Sequence, residues 1–161
     1  MIDDALLAEA TALLEAMQAR AITLATAESC TGGLIAAALT AIPGSSATVL
    51  AGFVTYSNAA KTSMLGVPEA MLASEGAVSE AVARHMAVEA QRRSGAGIAL
   101  SCTGVAGPGG GSAAKPVGLV WLGGAHADGR VIARRHVFPG DRAAIRAATV
   151  REAFAIAHSL L

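Results

Sequence analysis

Aromatic residues are almost absent from this chain: one Trp, one Tyr and three Phe make up 3% of its 161 residues. A flavin held between rings, or bases stacked on an aromatic platform, would have too little to rest on. Cysteine is as scarce. Cys30 and Cys102 are too far apart for a CxxC metal site and too few for a disulfide framework, so a reduced, cytoplasmic setting is expected. Charge of one sign is missing as well. Twelve basic residues balance twelve acidic ones, which leaves no footprint for nucleic acid or an anionic membrane surface. No apolar run approaches membrane-spanning length, and the first residues lack the basic-then-apolar layout of a signal peptide. The four histidines, His85, His126, His136 and His158, show no paired metal spacing, so neither a metal nor another cofactor is expected.

What is present is a 53% hydrophobic, alanine-rich sequence long enough to bury a core, expected as one domain over 1–161. Leu6, Leu7, Ala10, Leu13, Leu14 and Met17 recur at helical spacing behind a capping Asp3 or Asp4. A buried strand over 21–25 follows, then a helix whose core face is Leu34, Ile35, Ala38, Leu39 and Ile42, stopped by Pro43-Gly44. Residues 48–56 read as a second strand. Short helical segments over 59–65 and 68–73 precede a helix over 79–94 and a third strand over 98–102. Strands over 117–123 and 130–138 flank an Asp128-Gly129 turn, and Asp141 caps a last helix with Ile145, Thr149, Ala153, Ile156 and Leu160 inward. Helices between the first three strands favour parallel pairing. The expectation is therefore an α/β fold, a three-layer α/β/α sandwich on a mixed, mostly parallel five-stranded sheet.

In such sheets ligands bind outside the carboxyl ends of the parallel strands. Three unusual stretches fall there: Thr26 to Gly33, Tyr56-Ser57-Asn58, and the glycine-dense run from Thr103 to Ser112. Ser29, at the joint of strand and helix, reads either as a helix cap or as a nucleophile. The glycine run is neither a Walker A loop nor a dinucleotide fingerprint, yet its amides could form an anion nest. With no histidine at this rim, a nucleophilic serine needs another base. Lys61, five residues after Tyr56, can serve if its pKa is lowered, with Tyr56 relaying the proton.

Five ordered motifs carry a family resemblance. Ala27-Glu28-Ser29-Cys30-Thr31-Gly32-Gly33, Tyr56-Ser57-Asn58-Ala59-Ala60-Lys61, Gly76-Ala77-Val78-Ser79, Thr103-Gly104-Val105-Ala106-Gly107-Pro108 with Lys115-Pro116-Val117-Gly118, and Gly140-Asp141-Arg142 resemble those of the CinA C-terminal domain family of nicotinamide mononucleotide deamidases. The resemblance implies an anticodon-binding-domain-like fold, homo-oligomers, and metal-free hydrolysis of the mononucleotide's carboxamide to acid and ammonia in pyridine nucleotide salvage. It implies Ser29 as nucleophile with Tyr56 and Lys61 as activating partners, and a stand-alone form without the larger N-terminal domain many relatives carry. Around them the expected substrate contacts are Glu28, Cys30, Thr31, Gly32, Gly33 and Ser46. Thr103, Gly104, Gly107 and Gly109 complete the set with Arg142 and Arg146, the last two meeting the phosphate together with the loop amides. Amides opening the helix after Ser29 are expected to hold the oxyanion, and Glu28 to orient Lys61 or a ribose hydroxyl. The competing reading is a non-catalytic nucleotide-binding module of the competence/damage-inducible type.

Overall fold

The computed structural model describes residues 2–161. Asp3 caps α1 (Asp4–Gln18) by accepting the Leu6 amide at 2.8 Å, and the stripe Leu6, Ala10, Leu13, Leu14 and Met17 is buried. The first strand begins three residues later than its sequence suggests. The chain first wraps the end of α1: the Ile22 amide donates to the Met17 carbonyl at 3.0 Å and Ala21 sits at φ 54°. Only then does β1 (Leu24–Glu28) start, flanked by a strand on either side and buried throughout.

After a turn come α2 (Leu34–Thr40), a 3-10 turn Ser45–Ala47, β2 (Val49–Val54), α3 (Asn58–Leu65), α4 (Glu69–Glu75) and α5 (Glu80–Ser94). Ser57 caps α3 and Ser79 caps α5, each taking the amide three residues on. β3 (Ile98–Gly104) is two residues longer than expected, because pairing with β4 (Leu119–His126) continues through Thr103 opposite Trp121 and Gly104 opposite Val120. Val117 and Gly118 stay outside β4. Gly118 has φ 94°, and a Cβ there would collide with the Phe138 carbonyl. β5 (Val131–Val137) and α6 (Arg142–Leu160), capped by Asp141, complete the chain.

The strand order is β2-β1-β3-β4-β5. β1 pairs in parallel with β2 and β3, and β4 is antiparallel to both neighbours, so four of the five strands point one way. Helices α1, α2 and α6 cover one face with a core that includes Leu13, Leu39, Leu100 and Phe154. On the other face Val82, Met86 and Ala90 of α5 meet Ala25, Ala27 and Ala99, alanines that let the helix lie close to the strands. From β1 the connections leave in opposite directions, to β2 over α2 and from β2 to β3 over α5. The carboxyl end of β1 is thus the switch point where a crevice opens.

Candidate active site

Three strand ends are laced together at that crevice. The Thr55 amide, just past β2, donates to the Glu28 carbonyl at 2.8 Å, and the Ser29 amide donates to the Cys102 carbonyl of β3 at 3.0 Å. Ser29 is therefore fixed in the ladder through its backbone. It does not cap α2: four residues separate it from that helix, whose N-cap is Gly33 at φ 98°.

Glu28 does what a cap would do. Fully buried, it accepts the amides of Gly33, Ile35 and Ala36 at 3.0, 2.9 and 2.9 Å and the Thr31 hydroxyl at 2.6 Å. An anionic side chain at a helix N-terminus is favourable, and four donors offset its burial. Two expectations change as a result. The amides opening α2 are already occupied and cannot hold an oxyanion, and Glu28 touches neither Lys61 nor the crevice. The backbone groups left over at the turn are the amides of Cys30 and Thr31, which have no partner among the described residues. Replacing Glu28 by glutamine turns one acceptor into a donor that faces helix amides. We expect a stability loss of about 2–3 kcal/mol in urea unfolding and slower turnover through the loosened turn.

Lys61 is 1% exposed. α3 turns it inward, where Nζ lies 2.9 Å from Ser29 Oγ and 2.9 Å from the Thr55 carbonyl oxygen, with no other hydrogen-bond partner among the described residues. Burial pushes its pKa below the ordinary lysine value, only partly countered by the neighbouring thiols of Cys30 and Cys102. A neutral amine can donate one N–H to Thr55 and accept the Ser29 hydroxyl proton on its lone pair. The pair is direct, so no tyrosine stands between base and serine, contrary to the expected relay. The neighbouring Cys102 thiol and burial push the Cys30 pKa well above the usual thiol range, which disfavours its thiolate.

Tyr56 instead stands at the mouth of the crevice, 59% exposed, its hydroxyl accepting a hydrogen bond from Arg142 Nη2 at 2.9 Å. Arg142 Nη1 donates to the Gly107 carbonyl, also at 2.9 Å, which ties the glycine loop to α6. One turn along α6, Arg146 Nη2 donates to the Thr31 carbonyl at 2.7 Å while its buried Nε has no partner among the described residues. The space these residues frame has two compartments. The smaller, about 200 Å³, is lined by Ser29, Cys30, Tyr56, Gly104, Ala106 and Arg142. Ala106 and Arg142 are shared with the larger, about 630 Å³, whose other walls are Pro108, Val117, Gly140, Asp141, Ala143 and Arg146.

Not every residue nominated from the sequence comes here. Ser46 lies exposed in the 3-10 turn before β2, at the amino end of that strand and away from the carboxyl ends where the crevice opens, and within one chain takes no part in it. The Thr103 hydroxyl donates to the Ala77 carbonyl at 2.8 Å. Gly109 is exposed on the loop, where a Cβ would meet nothing within 4 Å. Gly32, by contrast, sits where a Cβ would lie 3.9 Å from Arg146 Nη2 and 4.0 Å from Tyr56 Cε2. Sequence reasoning missed Thr55, whose carbonyl positions the lysine. Its only signal was its place at the end of a strand, one residue before Tyr56.

A match to the CinA C-terminal domain spans residues 7–161. Among similar proteins, the "Nicotinamide-nucleotide amidohydrolase PncC" of Pseudomonas putida is 59% identical over 126 residues, 78% of this chain and 78% of that protein. Its namesake from Enterobacter agglomerans is 55% identical over 131 residues, 81% of this chain and 80% of the relative. The competence/damage inducible protein CihA from Agrobacterium tumefaciens, a solved structure, superposes with a TM-score of 0.97 at 46% identity, covering 99% of this chain and 98% of that one.

Proposed function

The chain belongs to the CinA C-terminal domain family, and from that premise we propose that it hydrolyses the carboxamide of nicotinamide mononucleotide to nicotinate mononucleotide and ammonia, with Ser29 as nucleophile. The observation that carries the reading is the buried Lys61 Nζ, 2.9 Å from Ser29 Oγ at the switch point. A lysine buried without a carboxylate partner is costly as a cation and suited to be a base. The names of the amidohydrolase relatives supply the substrate class.

In the reaction Lys61 takes the Ser29 hydroxyl proton as Oγ bonds to the amide carbon. The Cys30 amide, free of other partners among the described residues, meets the oxyanion of the tetrahedral intermediate. Its collapse breaks the C–N bond, and the proton held by Lys61 goes to the leaving nitrogen, which departs as ammonia. Water, deprotonated by Lys61, then attacks the acyl-serine and releases the acid, returning the proton to Ser29. No metal takes part in this scheme. It is tested by following ammonia release from nicotinamide mononucleotide, with formation of an equal amount of the acid expected.

Ribose and phosphate go to the larger compartment, which Arg142 and Arg146 line and where the Ala106 amide is without a partner among the described residues. Charge-assisted bonds of this kind discriminate strongly. Arg146→Gln is expected to weaken the mononucleotide about tenfold or more and the unphosphorylated riboside little, as read by calorimetry; equal losses would remove the phosphate role.

A further inference from the structure

Among the described residues no carboxylate lines the Ser29 compartment: its walls are Ser29, Cys30, Tyr56, Gly104, Ala106 and Arg142. Glu28, the acid closest in sequence, spends both oxygens on α2 and Thr31. Yet the ring that must enter beside Ser29, on the reading given above, is a pyridinium cation, its nitrogen made quaternary by the ribose. Something there has to meet positive charge.

We propose that the aromatic face of Tyr56, rather than its hydroxyl, does so, making Tyr56 the residue that selects a cationic ring over a neutral one. An aromatic face carries the negative part of the ring quadrupole and attracts cations, and the attraction strengthens as water is expelled. Tyr56 is the chain's one tyrosine, and it stands 59% exposed at the crevice mouth, where an unliganded aromatic gains by being covered. It is also held in place beforehand. Arg142 grips the hydroxyl at 2.9 Å, and Gly32, at φ 58° and without a Cβ, leaves the ring edge its position over the turn. A ring pinned before the ligand arrives loses little freedom on binding. The direct bond between Lys61 and Ser29 frees the hydroxyl from any part in proton transfer.

The test compares nicotinamide mononucleotide with its 1,4-dihydro form, which keeps carboxamide, ribose and phosphate but has a neutral ring. The KM and kcat for ammonia release are measured with the first, and the Ki of the second as a competitive inhibitor, on the unmodified chain and on Tyr56→Leu and Tyr56→Phe. Tyr56→Leu is expected to raise KM for the cationic ligand about tenfold, with kcat falling far less and the Ki of the dihydro form nearly unmoved. Phenylalanine, which restores the ring but not the Arg142 contact, should rescue most of that loss. Equal weakening of both ligands by leucine would reduce Tyr56 to a shape contact and overturn the inference. So would a collapse of kcat in Tyr56→Phe, which would assign the hydroxyl to the chemistry. Failure of the unmodified chain to release ammonia would overturn the functional reading itself, and this inference with it.

Discussion

Ser29→Ala is expected to reduce ammonia release from nicotinamide mononucleotide on the order of 10⁴-fold while the variant stays folded and still binds the nucleotide. Fold should survive because Ser29 is anchored by its backbone: its amide remains on the Cys102 carbonyl, and Glu28 continues to cap α2. The side chain contributes one hydrogen bond, to Lys61 Nζ. Its loss changes stability by about 1 kcal/mol. Binding should survive because, on the function proposed above, the ribose and phosphate go to the other compartment. Calorimetry with the nucleotide and a turnover assay on the same preparation check both halves; near-normal turnover would move the nucleophile elsewhere.

Lys61→Arg separates a base from a positive clamp. Arginine keeps the charge and cannot give up its proton at workable pH, so turnover should fall roughly 10³-fold. The pH dependence has a definite sign. Because burial lowers the Lys61 pKa in the fold, activity should rise with pH through that lowered value as the neutral base is populated. Stability has a linked window. Between the lowered pKa of the folded chain and the ordinary value of 10.5, the unfolded chain binds a proton that the fold does not, so stability climbs with pH there and the lysine's contribution is most unfavourable below it. Substantial activity in Lys61→Arg with a flat pH profile would leave Ser29 without an activator.

How far the sequence reached depended on whether a residue's neighbours in sequence or in space set its role. Caps and stripes are local, so Asp141, a first cap at either Asp3 or Asp4, and the buried faces of α1 and α6 could be read directly, as could the five strands and their mix of parallel and antiparallel pairing. The edges of β1 and β3 could not, since they depend on what lies across the ladder and on how the chain leaves the preceding helix. Lys61 sits in the polar-looking stretch Asn58-Ala59-Ala60-Lys61-Thr62-Ser63, which gives no hint that it is 1% exposed. Its partner Ser29 lies 32 residues away. Glu28 was placed beside the right residue for the wrong purpose. A carboxylate that caps a helix five to eight residues downstream follows no short capping pattern, and only the turn between them brings it there. Thr103 belongs to a motif that passes near the rim, but its hydroxyl is spent on Ala77, and Ser46 precedes β2 at the end of the strand away from the rim.

If, as proposed, a lysine-activated Ser29 forms a covalent acyl-serine, partitioning with hydroxylamine reveals it. Hydroxylamine competes with water for the acyl group only if an acyl-enzyme exists after ammonia has left. Nicotinamide mononucleotide turned over with increasing hydroxylamine should yield the hydroxamate at the expense of nicotinate mononucleotide, in a ratio that follows the hydroxylamine concentration, with one ammonia per product molecule and neither product from Ser29→Ala. Acid as the sole product at every hydroxylamine concentration, or hydroxamate formed equally well by Ser29→Ala, would contradict the account.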